Sequence, residues 1–93
     1  MVVDYTAEAR LDVLKALDYY EAQQEGLAVD FYQELIAAEE AIRDMPEFWH
    51  QVGKNYRRKH LKRYPYSLVY IINASHILVV AVAHSSREPN YWQ

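Results

Sequence analysis

Four side chains in the second half of the chain have the chemistry to act on a phosphodiester: His84, Arg87, Tyr91 and Lys59. An imidazole titrates near neutrality, so His84 can serve as base or acid in attack by a 2′-hydroxyl. Arg87 and Lys59 can hold the phosphate, and Tyr91 can stack on a base. Each also has a plainer role. His84 can be a hydrogen-bonded rim residue that fixes a turn, and Tyr91 with Trp92 can close the core. A second resource is the basic segment Tyr56-Arg57-Arg58-Lys59-His60-Leu61-Lys62-Arg63. On a strand, Arg58 and Lys62 fall on one face and Lys59 and Arg63 on the other, so these cations cannot all meet one ligand. Some must snorkel or pair with acids elsewhere. His50, His60, His76 and His84 lack metal-ligand spacing, there is no cysteine, and the only glycines are Gly26 and Gly53. Neither a metal site nor a phosphate-cradling loop is expected, and no cofactor.

These residues must be carried by strands. Ser67-Leu68-Val69-Tyr70-Ile71-Ile72 and Ile77-Leu78-Val79-Val80-Ala81-Val82-Ala83-His84 are β-branched and aromatic, too short for separate helices, and parted by Asn73-Ala74-Ser75-His76. That pattern predicts a hairpin, with strands over 56–64, 66–73 and 76–84. Pro65 suits a bend or an edge. Upstream, Val2 and Val3 can open a short strand, and Thr6 is an N-cap candidate. Leu11, Leu14 and Leu17, with Val13, Ala16 and Tyr20, predict an amphipathic helix over 7–25 that stops at Gly26. A second helix follows from about Leu27 and ends before Pro46, with Ala28, Phe31, Tyr32, Leu35, Ala38, Glu39 and Ile42 marking its inner side. Residues 46–55 read as a connector whose Phe48 and Trp49 plug the end of the core. The expectation is one α+β domain over 1–93, ordered β-α-α-β-β-β, a helical hairpin packed on a small antiparallel sheet. Tyr66, Leu68, Tyr70 and Ile72 share one face and should lie against Leu14, Leu17, Phe31 and Leu35. Ser67, Val69 and Ile71 are then left on the open face, a greasy surface bordered by cations. Such a surface suits a protein partner better than a phosphodiester.

Length and charge limit the choices. A chain of 93 residues buries only roughly 60–65% of its unfolded surface, so one core and little room for a deep pocket are expected. No apolar run approaches membrane-spanning length, and the N-terminus lacks secretory-signal features, so a soluble, cytoplasmic protein with no membrane partner is expected. The net charge of −3 hides a division: residues 1–47 carry twelve acids and three bases, residues 48–93 seven bases and one acid. Either the two halves attract each other, or the basic half is kept for an anionic partner. Overall acidity opposes strong nonspecific nucleic-acid binding.

Tyr64-Pro65-Tyr66-Ser67-Leu68-Val69-Tyr70, then Ile77 through His84, then Arg87-Glu88-Pro89 with Tyr91-Trp92, resembles the RelE/ParE toxin superfamily. Leu17-Asp18-Tyr19-Tyr20 and the Gly26-Leu27 junction resemble its helical hairpin. The resemblance spans nearly the whole chain. It implies the toxin of a bacterial type II toxin–antitoxin system, or a plasmid-stabilisation relative, held by a cognate antitoxin as a homodimer or heterotetramer. RelE-like members cleave messenger RNA in the ribosome, and ParE-like members poison DNA gyrase. Ribonucleolytic relatives carry an arginine where this chain has Ser67, while Arg87 and Tyr91 match their C-terminal basic residue and tyrosine. The Pro-Tyr opening and the ending from His84 to Trp92 resemble the ParE side. Three readings follow: a gyrase poison, an mRNA interferase using His84, Arg87 and Tyr91, or a diverged member that binds antitoxin without toxicity. In each, Arg57, Arg58, Lys59, Lys62, Arg63, Ser67, Val69 and Ile71 are the candidate partner or nucleic-acid contacts.

Overall fold

The computed structural model describes residues 1–88, 91 and 92; Pro89, Asn90 and Gln93, part of the tail expected to form a turn, lie outside the described residues. The elements run β1 (Val2–Tyr5), α1 (Ala7–Gln23), α2 (Leu27–Asp44), β2 (His50–Val52), β3 (Tyr56–His60), β4 (Tyr66–Ile72) and β5 (His76–His84). The α+β class and the helical hairpin on a sheet are as expected. The sheet is five-stranded and mixed, in the order β1-β5-β4-β3-β2. β1 pairs in parallel with β5, Val2 opposite His76 and Tyr5 opposite Val79, which corrects the all-antiparallel reading. The crossover helices make this pairing feasible, because they carry the chain from β1 at one sheet edge to β2 at the other, from which the strands step back to β5. β2 lies in the stretch expected to be a connector; its three residues pair with Tyr56, Arg57 and Arg58 and are too few to show a periodicity.

Helix α1 starts where Thr6 caps it, the threonine hydroxyl accepting from the Ala9 amide at 3.1 Å. Its inward stripe differs from the expected one. Ala9 and Ala16 are fully buried and Val13, Leu17 and Tyr20 half-buried, while Leu11 and Leu14 are 51% and 58% exposed. Alanines, not leucines, face the sheet because they let the helix axis close on β5. The Asp12 carboxylate then reaches the backbone of that strand and accepts from the Val82 amide at 2.9 Å. Gly26 takes the left-handed conformation between the helices (φ 92°), which glycine adopts without the steric penalty other residues incur. The Glu21 side chain accepts from the Gly26 and Ala28 amides and so caps α2 from outside it. Phe31, Leu35, Ala38 and Ile42, at helical spacing, form the buried face of α2, while Tyr32, expected on the inner side, is 47% exposed because it lies one position round the helix from Phe31.

The core between helices and sheet takes Leu68, Tyr70, Ile77, Val79 and Val82, with Tyr66 and Ile72 at its margin. Leu68 is 0% exposed. Tyr20, Phe31, Tyr64 and Tyr66 make an aromatic knot with ring centroids 4.8 to 6.1 Å apart. Trp49 is half-buried against the core and donates its indole N–H to the Ala41 carbonyl at 3.1 Å, as a plug should. Phe48 does not plug; it is 65% exposed, because the turn after α2 points it outward while Trp49 takes the space.

The opposite face of the sheet is not open. Val69, Ala81 and Ala83 form a second buried cluster under Tyr56, Val80, Tyr91 and Trp92. Val69 is 0% and Ser67 6% exposed, and Ile71 is half-buried. The expected greasy open face is covered by the C-terminal aromatic pair. A register shift opposite the Val69–Tyr70 step places Val80 as an extra residue in β5. That bulge turns Val80 and Ala81 together toward the covered face.

Candidate functional site

The basic segment is dealt out to three places. On β3, Arg57 lies opposite Tyr70 and Lys59 opposite Leu68, so both stand on the helix side of the sheet. There Arg57 donates to the Trp49 carbonyl at 3.0 Å, and the Lys59 ammonium sits 4.5 Å above the Trp49 ring. Both brace the tryptophan. β3 ends at His60, short of the expected residue 64, because residues 61–65 turn and are tied down to α2. Glu34 accepts from the Lys62 and Arg63 amides at 3.0 Å each. Arg63 forms salt bridges to Asp30 and Glu34, and the Tyr64 hydroxyl donates to Asp30 at 2.6 Å. The hydrogen bonds from Arg63 and Tyr64 hold the Asp30 carboxyl below its usual range. For Arg63, then, the acidic and basic halves attract each other directly. Lys62 is exposed on a groove of about 490 Å³ between α2 and β3, lined also by Ala37, Ala41, Trp49 and Lys59.

Arg58 and His60 take the other side of β3. Their cross-strand partners are Val69 and Ser67, so they share the face covered by the tail. A cavity of about 260 Å³ lies there, lined by Arg58, His60, Ser67, Val69, His84, Arg87, Glu88, Tyr91 and Trp92. Two arginines and two histidines meet one carboxylate, Glu88. The cavity brings together His84, Arg87, Tyr91, Arg58, Ser67 and Val69 from the candidate residues; Arg57, Lys59, Lys62, Arg63 and Ile71 stand outside it.

Within it, the Ser67 hydroxyl and His60 Nδ1 are 2.7 Å apart. His60 is the site residue that sequence reasoning passed over. Its signal was alternation in step with Arg58, but which β4 residue it meets depends on the length of the turn at 61–65. Partial desolvation of the ring, then the charges of Arg58 and Lys59 and neighbouring His50, push the His60 pKa below the ordinary imidazole value. His60 as a residue is exposed, but its contact with Ser67 is part-buried, and a neutral ring fits that contact.

His84 is held at the rim. Its Nδ1 accepts from the Ser86 amide at 3.0 Å and lies 2.8 Å from the Ser86 hydroxyl, and its ring meets Tyr66 edge-on at 5.0 Å. Because Nδ1 accepts, Nε2 carries the proton of the neutral ring. The Arg87 guanidinium stacks 3.9 Å from the Tyr91 ring centroid. Burial and the Asp12 carboxylate push the Tyr91 hydroxyl up, against the pull of Arg87. Two donors are left over: Arg58 Nε and Trp92 Nε1 are buried with no acceptor among the described residues. Each such group costs about 1–3 kcal/mol. Among the described residues no group of histidines and acids could hold a metal ion, and no helix is long and apolar enough to cross a membrane.

The chain superposes on a chain from the chromosomal ParDE toxin–antitoxin system of P. aeruginosa, with a TM-score of 0.78 and 17% identity. The match covers 90% of this chain and 95% of that one, and shows a shared fold. No curated protein matches the sequence. A family model described as the ParE toxin of the type II toxin–antitoxin system parDE matches residues 3–89. With the match spanning nearly all of the fold just described, the chain belongs to the ParE toxin family.

Proposed function

We propose that the chain acts in the cytoplasm as a ParE-like toxin that binds and poisons DNA gyrase and is neutralised by a cognate antitoxin. The observation that carries this reading is Ser67. At the centre of the covered face stands a 6% exposed hydroxyl engaged with His60, where a ribonuclease needs a cation on the phosphorane. A single missing preorganised donor costs on the order of 10²–10³ in rate in other enzymes. His84 Nδ1 is occupied by Ser86 and Tyr91 lies under Arg87, which leaves His84 Nε2 as its remaining site for proton transfer.

One observation favours a second reading, the ribosome-dependent mRNA endonuclease. Arg58, His60, His84 and Arg87 do line one cavity, and their charge suits a phosphodiester. Induction of the chain without its antitoxin separates the two. Double-strand DNA breaks and a supercoiling defect with translation initially intact are expected. Prompt translation arrest with messages cut at ribosome-occupied codons, abolished by His84→Ala or Arg87→Ala, would overturn the gyrase reading. No effect on growth, DNA or translation would leave the diverged, antitoxin-binding member.

A further inference from the structure

The side of the helical hairpin turned away from the sheet carries apolar residues of its own. Alanines take the sheet side of α1, so Leu14 is turned out and exposed, as is Tyr32 across from it on α2. Between the two helices runs a groove of about 480 Å³, lined by Leu14 and Leu17 of α1 and by Tyr32 and Ile36 of α2. One end of it is charged, with Arg10 on α1 and Glu39 on α2. Tyr5 sits between these two. Its carbonyl accepts from Arg10 Nε at 3.3 Å, and its hydroxyl donates to Glu39 at 2.7 Å. The groove is thus apolar along most of its length and of mixed sign at one end.

We propose that a second copy of the chain docks in this groove, hairpin on hairpin, about a two-fold axis parallel to the helices. Because α1 and α2 run antiparallel, Arg10 is level with Glu39, Leu14 with Ile36 and Leu17 with Tyr32. The parallel axis lays α1 of one copy on α2 of the other without changing level. Arg10 then meets the partner's Glu39, Leu14 the partner's Ile36, and Leu17 the partner's Tyr32, each contact made twice. An axis across the helices would set α1 on α1 and press Arg10 onto the partner's Leu17, leaving a charge without a counter-ion. Charge complementarity therefore selects both the occupant and the axis. Glu39 already accepts from Tyr5 and Arg43, but a carboxylate has about four acceptor sites, which leaves room for a further arginine. An acidic partner fits less well, since residues 1–47 carry twelve acids and three bases and would repel it. The face is about 25 Å long, the length of α1, and about 20 Å, two helix diameters, wide. The two copies together would bury roughly 1,000 Å², the lower bound for a specific interface, so a dissociation constant in the micromolar range is expected. The proposal does not depend on what the chain poisons.

Sedimentation equilibrium of the full chain from about 1 to 300 μM tests it, a span that brackets micromolar affinity. A monomer–dimer equilibrium is expected. Leu14→Glu should raise the dissociation constant at least about a hundredfold, because two leucines leave the interface. Arg10→Glu should raise it about tenfold, as two rim pairs are lost. Urea unfolding of the dilute variants checks that both still fold. The chain has no cysteine, so the axis can be read by cross-linking. A mixture of Leu14→Cys and Ile36→Cys chains should form a disulfide-linked pair on mild oxidation, and Leu14→Cys alone should not. Self-linking of Leu14→Cys without the mixed product would overturn the axis. A chain monomeric throughout, or a dimer indifferent to Leu14→Glu, would overturn the proposal. If the chain alone stays monomeric while Leu14→Glu weakens binding of the product of the adjacent reading frame, the groove belongs to that partner and not to a second copy.

Discussion

The Ser67 hydroxyl and His60 Nδ1 face each other at 2.7 Å across β3 and β4. Removing the hydroxyl with Ser67→Ala leaves the imidazole nitrogen without its protein partner and should cost about 1–3 kcal/mol, read from urea unfolding. An unchanged midpoint would show that water replaces the hydroxyl at no cost.

The same pair sets a pH dependence. The folded His60 pKa lies below the ordinary 6.5, so the unfolded chain takes up the proton more readily. This contribution to stability is present above the unfolded value and is lost as pH falls below it. Arg58→Gln removes one of the charges that depress His60, so its NMR titration midpoint should rise. A midpoint at or above 6.5 in the wild-type chain would contradict this account.

Leu68 is the centre of the helix-side core, 0% exposed in the middle of β4. Leu68→Ala should destabilise by roughly 2–5 kcal/mol, as cavity-forming truncations do. Leu14→Ala, at a position 58% exposed, should change stability by no more than about 0.5 kcal/mol. Comparable losses from the two would mean that α1 presents its leucine stripe to the sheet.

The turn at residues 61–65 is held by α2 through Glu34 and Asp30. Glu34→Ala removes the acceptor of two backbone amides at once. Limited trypsin digestion should then cut after Lys62 and Arg63 well before the helices are cleaved. Equal digestion of variant and wild type would count against the clamp.

Gly26 joins the helices at φ 92°. Space is not the obstacle, since an added Cβ meets nothing within 4 Å. Gly26→Ala should still lose about 1–2 kcal/mol from the left-handed backbone alone, measured by thermal or urea unfolding. No loss would show that the hairpin can relax its turn.

The helices and the central hairpin were legible because their patterns are long. Phe31, Leu35, Ala38 and Ile42 keep helical period, and β4 and β5 are continuous β-branched and aromatic runs. What was not legible depended on partners distant in the chain. Leu11 and Leu14 read as core because they are leucines, yet Ala9 and Ala16 face the sheet, since the closeness of α1 to β5 is fixed by the fold and not by local hydrophobicity. Val69 read as exposed because alternation assigns a face without saying what covers it; the cover is Tyr91 and Trp92, more than twenty positions downstream. The cations on β3 alternated as expected, but which alternate set met the cavity waited on the β3–β4 register. His60 was missed for that reason.

The parallel pairing of β1 with β5 ties residues 2–5 to residues 76–79. During synthesis the first strand has no neighbour until the last strand has been made, and such long-range closure is slow in any folding chain. A nascent or prematurely terminated copy therefore lacks an edge of its sheet and the seat of α1. The finished sheet, and with it the seat of α1, therefore forms only after residues 76–79 have been made.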